Sequence, residues 1–579
     1  PMTTVTTPAA GRGMIGSVPL RKPWNRSRVT LLLVAIGGAV GSIWGLSQVD
    51  LSIFAIIEGW PETQSLLERM WPPTIAAEDR GFLTGLVFDT FFMAYAGTAI
   101  GVFLAVPLAF LAASNIMPIA PVRFAARGII VFTRAVPTIV FALVFVRVYG
   151  IGVLPGILAI GIHSVGMIAK LLADALEDID PGPRDGVVAT GAGRFQEMIT
   201  GVWSQIIPRV ISISLYRLEI DFRGAPILGF VGAGGIGLAI RGYQGNLRYP
   251  ELLGVTLLIV VLVVLMEMLS AITRRAVLGS ELGDATMGRS KSKAAVLGVD
   301  DRGSVIATPI AARSVNSGTS GLTAPWTRDR LKLNLAGWGA LALLVGSFTV
   351  PDVSIREFFS SIGGMPGIFW RLVPKDMTWL SDAVVADLIE TIAIGFAATF
   401  LALIFAVPLS FFAAANTAPS RIVYRFTRML ALLIRAAPDL VIAVILVAAI
   451  GLGPAAGTIA LAFGMIGFAT KLLADNIEEV PEAPREGVFA TGATRVQEVG
   501  TGVAPQVLPA MLGNMLYLFD VSLRSSTVLG IVGAGGIGFL LNNAAKTLRF
   551  EVMGGIILSV FVIVYAIELL STWVRRQVI

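Results

Sequence analysis

No cysteine occurs among the 579 residues, and histidine occurs once, at His163. Without thiols there is no disulfide, thiolate metal site or cysteine nucleophile. With a single imidazole, a histidine-built metal centre or a Ser-His-Asp triad is implausible. No lysine follows a glycine anywhere, so the Gly-x-x-x-x-Gly-Lys-Ser/Thr loop that cradles nucleotide phosphates is missing. Charge is also scarce, at 14% of residues, where a soluble globule carries about 25%. What remains is apolar: 55% of the chain is hydrophobic and mean hydropathy is +0.80. With about 20 apolar residues needed per helical crossing, this is the composition of an all-α polytopic membrane protein. The net charge of +6 fits basic cytoplasmic loops, and no nucleic-acid role is needed to explain it. The polar, basic stretch before the first apolar run has no cleavable apolar region, so no removed signal peptide is expected.

The second half of the chain repeats the first at a shift of 301 residues. Ala105-Val106-Pro107-Leu108 returns as Ala406-Val407-Pro408-Leu409, and Arg134-Ala135-Val136-Pro137 as Arg435-Ala436-Ala437-Pro438. Lys170-Leu171-Leu172-Ala173-Asp174 returns as Lys471-Leu472-Leu473-Ala474-Asp475, and the run Val231–Gly237 as Val532–Gly538. The chain is a tandem duplication.

Apolar runs predict spans near 29–48, 84–113, 129–149, 155–174, 206–225 and 251–273, with counterparts near 331–349, 385–414, 430–450, 456–475, 507–526 and 552–574. Six spans per repeat return each copy to its starting side, so the repeats are parallel and related by an axis along the membrane normal. The distribution of basic residues puts both termini in the cytoplasm. The expected division is a cytoplasmic tail (1–28), repeat 1 (29–278), a Ser- and Gly-rich cytoplasmic linker (279–327) and repeat 2 (328–579).

The largest charged inside loop of each repeat follows span four. Its copies read Pro183-Arg184-Asp185-Gly186-Val187-Val188-Ala189-Thr190-Gly191-Ala192 and Pro484-Arg485-Glu486-Gly487-Val488-Phe489-Ala490-Thr491-Gly492-Ala493. Leading acids and small interior residues suit a short helix that packs closely on a partner. The loop resembles the coupling helix of ABC importer permeases, whose pattern is Glu-Ala-Ala, three residues, Gly, nine residues, Ile-x-Leu-Pro. Glu486, Gly492 and Pro505 stand at its Glu, Gly and Pro; in the first copy Asp185 and Gly191 match but Ser204 replaces the proline. The alanines are lost in both copies (Gly186-Val187, Gly487-Val488), as is the Ile-x-Leu part.

Over nearly the whole of each repeat, Arg-Ala-x-Pro, Val-Gly-Ala-Gly-Gly-Ile-Gly, Gln205 to Pro208, Gln506 to Pro509 and Arg241-Gly242-Tyr243-Gln244 are similar to methionine- and phosphonate-type permeases. The phosphonate type is the nearer in length and order, here as two fused copies. The resemblance implies the type I importer fold, with about twelve transmembrane helices in two six-helix bundles around one path. It implies import of a phosphorus oxyanion (phosphonate, phosphate or phosphite) by alternating access. The chain itself would be no enzyme and bind no cofactor. Two copies of a separate ABC ATPase, which would use ATP and Mg, would dock at the coupling residues Asp185, Gly186, Gly191, Ala192, Glu486, Gly487, Gly492 and Ala493. An extracytoplasmic binding protein would dock on the external segments 50–83 and 350–384.

Charges inside spans are costly and carry a functional hypothesis by default. Tyr216, Glu219 and Arg223 share one face of span five, as do Tyr517, Asp520 and Arg524. Arg223 and Arg524 are candidates to attract the oxyanion, since guanidinium suits phosphoryl geometry; the competing reading is an acid–Arg pair at i, i+4 that neutralises itself. Asp89 and Glu390, followed by Thr90 and Thr391, are pathway candidates in span two. Arg134 and Arg435 sit near the cytoplasmic end and are expected to snorkel. Lys170–Asp174 and Lys471–Asp475 are expected anchoring pairs. His163 faces Gly464 in the other copy, which leaves it no symmetric role. The rival class is an ion-coupled secondary transporter, which shares the six-plus-six layout but leaves the two coupling segments without a job.

Overall fold

A computed structural model describes residues 26–49, 51, 60–285, 328–351, 356, 360, 363 and 365–578. The tail to residue 25, the linker from 286 to 327 and parts of the external segments, 52–59 among them, lie outside the described residues.

Regular structure among the described residues is helical. The first repeat comprises α1 (Arg26–Gln48), α2 (Trp60–Met70), α3 (Arg80–Ala112), α4 (Ala120–Ala135), α5 (Thr138–Tyr149), α6 (Val153–Glu177), α7 (Pro181–Ala189), α8 (Ser204–Phe230), α9 (Gly237–Gly245) and α10 (Tyr249–Ala285). The second repeats the order as α11 (Arg328–Thr349), α12 (Met365–Leu372), α13 (Asp382–Ala413), α14 (Arg421–Ala436), α15 (Asp439–Ile450), α16 (Pro454–Glu478), α17 (Glu482–Ala490), α18 (Ala504–Gly530), α19 (Ile537–Lys546) and α20 (Phe550–Val578). A π-helical turn leads into α8 (Glu197–Trp203) and α18 (Glu498–Val503). Among the described residues eight helices are long and apolar enough to cross a bilayer, and ten spans result when each bent pair counts as one. Within α11 the described side chains form an apolar stretch over Gly337–Thr349, and α18 carries Asp520 and Arg524 in its length; these two helices occupy the remaining expected positions.

The third span, expected to be continuous, is broken in both repeats. α4 and α5 meet at 88°, α14 and α15 at 74°. The cause lies in the Arg-Ala-x-Pro sequence: Pro137 and Pro438 donate no backbone hydrogen bond and push the preceding residue out of helical geometry. Val136 has ψ 121° and Ala437 ψ 125°.

Small residues set the packing inside each repeat. Ala94, Gly97, Thr98, Gly101 and Ala105 are buried along α3, facing the buried Gly156, Ile160, Gly161 and Ser164 of α6. A Cβ added at Gly97 would stand 2.6 Å from Ile160 Cγ2, so only glycine allows this approach. Close backbone packing of this kind replaces the hydrophobic drive that lipid cannot supply.

The bundles are not separate. The first span of each repeat packs on the second span of the other: Trp44 meets Phe396 edge-on with ring centres 6.5 Å apart, and Tyr95 Oη donates to the Ala340 carbonyl at 2.8 Å. In addition Leu66 and Met70 of α2 pack on Ala449 of α15. One apolar core therefore runs through both copies.

Candidate functional site

Helical spacing puts Tyr216, Glu219 and Arg223 on one face of α8. They line a cavity of about 320 Å³ between the repeats, together with Met167, Tyr517, Gly464, Arg435 and Asp439, the last two flanking the α14/α15 break. Glu219 is the hub: its carboxylate lies 3.4 Å from Arg223, 3.6 Å from Arg435 and 3.8 Å from Arg274. Arg435 also pairs with Glu267 of the other repeat. Three guanidinium groups thus face three carboxylates, counting Asp439. Each cation is already shared, and Arg223 Nε is a buried donor with no partner among the described residues. Such a cavity can offer spare guanidinium donors to an anion without the cost of an uncompensated buried charge.

The structure brings Tyr216, Glu219, Arg223 and Tyr517 together, but it places Arg524 and Asp520 elsewhere. Those two pair with each other, and Arg524 Nη1 donates to the Arg134 carbonyl at 3.3 Å across the repeat boundary. Asymmetry at the break explains part of the difference. In repeat 1, His163 Nδ1 lies 3.2 Å from the Thr133 carbonyl and 3.1 Å from that of Val136, filling the gap in the broken helix. In repeat 2 the equivalent Gly464 leaves that space to the Asp439 carboxylate, which a Cβ there would strike; the residue equivalent to Asp439 in repeat 1 is Thr138.

Arg134 and Arg435 do not snorkel. Arg134 pairs with Glu568 at 2.7 Å and Arg435 with Glu267, so each ties the broken span of one repeat to the last span of the other. Glu267 and Glu568 are sites that sequence reasoning missed, although their recurrence at the repeat shift inside an apolar span was a usable signal. Of the two anchoring pairs, Lys170–Asp174 forms, whereas Asp475 pairs with Arg428 at 2.9 Å.

At the other end of α6 the Gly-rich loops pack on span two. Thr90 Oγ1 accepts from Ile236 N at 2.8 Å and Thr391 Oγ1 from Ile537 N at 2.8 Å, capping α9 and α19. Glu390 accepts from Gly536 N at 2.9 Å, so it holds the loop; Asp89 is half-buried beside Thr90. Between the two loops a second cavity of about 630 Å³ opens, lined by both repeats.

The segments after span four are short helices, α7 and α17, with no buried residue. Asp185, Gly186, Glu486 and Gly487 lie exposed on them. Gly191 (φ +79°) and Gly492 (φ +81°) end the helices in the left-handed conformation that glycine adopts freely, with Ala192 and Ala493 following. Arg184 pairs with Glu197, and Arg485 with Glu498 at 2.7 Å, which clamps each helix to the following π-helical turn. Gly201 and Gly502, where the permease pattern has Ile, make this fit possible: a Cβ would lie 3.0 Å from Arg184 Cα and 3.2 Å from Arg485 Cα. Phe489, Phe195, Val496 and Ile199 remain exposed on this face.

Residues 105–278 and 406–579 each match the family described as binding-protein-dependent transport system inner membrane component. The chain belongs to this family. It is therefore a multi-pass plasma-membrane transport subunit, not an enzyme, and membership does not favour the ion-coupled alternative. The phosphate-import permease protein PhnE of Mycolicibacterium smegmatis is 39% identical over 92% of this chain and 92% of its own length. The phosphite transport system permease protein PtxC of Stutzerimonas stutzeri is 34% identical over 42% of this chain and 86% of its own, as expected when a single-repeat permease meets a duplicated one. A chain of the MetNI methionine ABC transporter in an inward-facing conformation is 23% identical over 36% of this chain and 100% of that one, with a TM-score of 0.31.

Proposed function

We propose that the chain is the membrane-spanning subunit of an ATP-driven importer for a phosphorus oxyanion, phosphate, phosphite or phosphonate, working by alternating access. The observation that carries this reading is the pair of matched helices α7 and α17, neither with a buried residue, at one end of the bundle. Exposed aromatic and aliphatic side chains next to them suit a protein partner. Two copies of a separate ABC ATPase fit there, one per repeat, with ATP and Mg bound by that partner. Closure of the ATPase dimer would push on Asp185–Ala192 and Glu486–Ala493, and the π-helical turns would pass the push to α8 and α18. The cavity between the repeats, with Tyr216, Glu219, Arg223 and Tyr517, lies on the path, and a solute-binding protein would deliver the anion from the far side. Residues 29–278 and 328–579 are then the two half-permeases, 279–327 their tether, and both termini are cytoplasmic. The relatives named above support the phosphorus chemistry.

The test is purification of the tagged chain from solubilised membranes, followed by ATPase assay and identification of what accompanies it. Co-purification of a P-loop ATPase that is lost in the Asp185→Lys, Glu486→Lys double variant supports the reading. Purification of the chain alone, with transport driven by an ion gradient, overturns it.

A further inference from the structure

The cavity between the Gly-rich loops lies at the end of the molecule opposite α7 and α17, because α6 starts beside it at Val153 and ends at Glu177 just before α7. At about 1.5 Å per residue, the 25 residues of α6 put the two faces about 37 Å apart. The lining carries Arg147, Arg241 and Lys546 and, among the described residues, no carboxylate. Arg147 and Lys546 have no ion-pair partner among the described residues, and all three side chains are exposed to the cleft.

The repeats show that these charges are not needed for the fold. Arg241 donates to the Phe230 carbonyl at 3.4 Å; its counterpart Asn542 makes the same bond to the Ile531 carbonyl at 3.1 Å. An uncharged amide therefore does the structural job. Arg147 corresponds to Ala448, and Lys546 to Gly245. Three cations from non-equivalent positions converge on one cleft, while the equivalent positions do without charge. A cleft of one sign between low-dielectric walls focuses its field and raises the local concentration of the opposite ion.

From this we infer that Arg147, Arg241 and Lys546 form a capture subsite for a small oxyanion at the mouth of the path, distinct from the cavity at Arg223. It takes the anion released by the delivering protein and keeps it from escaping before the path closes. The inference rests on the importer reading. Guanidinium and ammonium donors suit a tetrahedral oxyanion, and the cleft has room for one with part of its water.

The experiment uses the whole complex in proteoliposomes, with its binding protein and radiolabelled inorganic phosphate, phosphite and methylphosphonate in turn. Anion delivered per ATP hydrolysed is measured alongside binding-protein affinity. The Arg147→Gln, Arg241→Asn, Lys546→Gln triple variant is expected to lose severalfold in anion per ATP, with binding-protein affinity within twofold of wild type. Arg147→Lys with Lys546→Arg, which keeps the charge, is expected to retain the wild-type ratio. Should the triple variant fail to assemble, Arg241→Asn alone, the residue repeat 2 already carries, is read for a partial loss. An unchanged ratio overturns the subsite. So does a fall in uptake matched by a fall in binding-protein affinity, which would assign the cations to docking an acidic protein face. If the wild-type complex moves none of the three anions, the importer reading itself fails and the subsite goes with it.

Discussion

Arg134 in the first repeat and Glu568 in the second are joined at 2.7 Å across 434 positions of sequence. Arg435 and Glu267 repeat the bond in the opposite direction, so each broken span is tied to the last span of the other repeat. A double cycle of Arg134→Gln and Glu568→Gln should give a coupling of about 1–3 kcal/mol, read from denaturant or thermal unfolding in detergent. Each single change leaves a half-buried charge unpaired and should destabilise more than its share. Strictly additive effects would show that the ion pair does not hold the repeats together.

Helix α7 depends on two glycines for different reasons. Gly191 has φ +79° and open space around it, so Gly191→Ala meets only backbone strain, about 1–2 kcal/mol for the left-handed conformation. Gly201 is ordinary in conformation but touches the α7 backbone, and Gly201→Val would lift α7 off the π-helical turn. In the reconstituted complex Gly201→Val should therefore lose most transport while the ATPase remains bound, and Gly191→Ala should lose less. Equal, small losses would mean that α7 does not transmit force through this contact.

The duplication was legible because rigid landmarks such as Arg-Ala-x-Pro and the Gly-rich loop survive in both copies. The break at Pro137 was not, because an apolar run continues on both sides of it and length arithmetic counts the run as one span. Arg134 was misread for a related reason: its local surroundings suggest a cytoplasmic end, while its partner Glu568 comes from the other repeat. The crossed first spans were equally hidden, since Trp44 and Phe396 meet only through tertiary packing. The candidate pair Arg223 and Arg524 looked equivalent in sequence. Their surroundings differ through Asp439 against Thr138 and Gly464 against His163, positions whose meaning depends on the fold.

Outside the spans, Tyr243 anchors α9: its hydroxyl donates to Asp79 at 2.9 Å, and Arg248 stands 3.1 Å from the same carboxylate. Burial, then the hydrogen bond to Asp79, push the Tyr243 phenol up to about 12, against about 10 for a free tyrosine. Because the folded value is raised, the neutral phenol's contribution is complete below pH about 10 and is lost as pH climbs toward 12. Alkaline titration by phenolate absorbance should lose amplitude from its late-titrating component in Tyr243→Phe. An undiminished late component in that variant would show that the Asp79 contact does not hold the Tyr243 phenol neutral.

Repeat 1 buries an ion pair that repeat 2 has done without. Arg217 Nη2 lies 2.7 Å from Asp221 Oδ1, and Asp221 Oδ2 accepts from Ser164 at 2.7 Å and Thr98 at 2.9 Å. In repeat 2 the same positions hold Leu518, Ser522, Met465 and Thr399, with the two hydroxyls 2.9 Å apart. Arg217→Leu alone strands a buried carboxylate and should cost about 3–5 kcal/mol. Adding Asp221→Ser and Ser164→Met converts the cluster to its partner's solution and should recover most of that loss, since a packed apolar replacement of a buried pair is often neutral or stabilising. Unfolding midpoints of the single and triple variants measure the recovery; a triple variant no better than the single would mean that the two repeats pack too differently to share a solution. Uptake by the recovered variant then separates structure from transport. Arg217 Nη1 also contacts Met167 Sδ at 2.9 Å, and Met167 lines the central cavity, so a stable triple variant with impaired uptake would show that the ion pair shapes the cavity wall, whereas full uptake would leave it a scaffold alone.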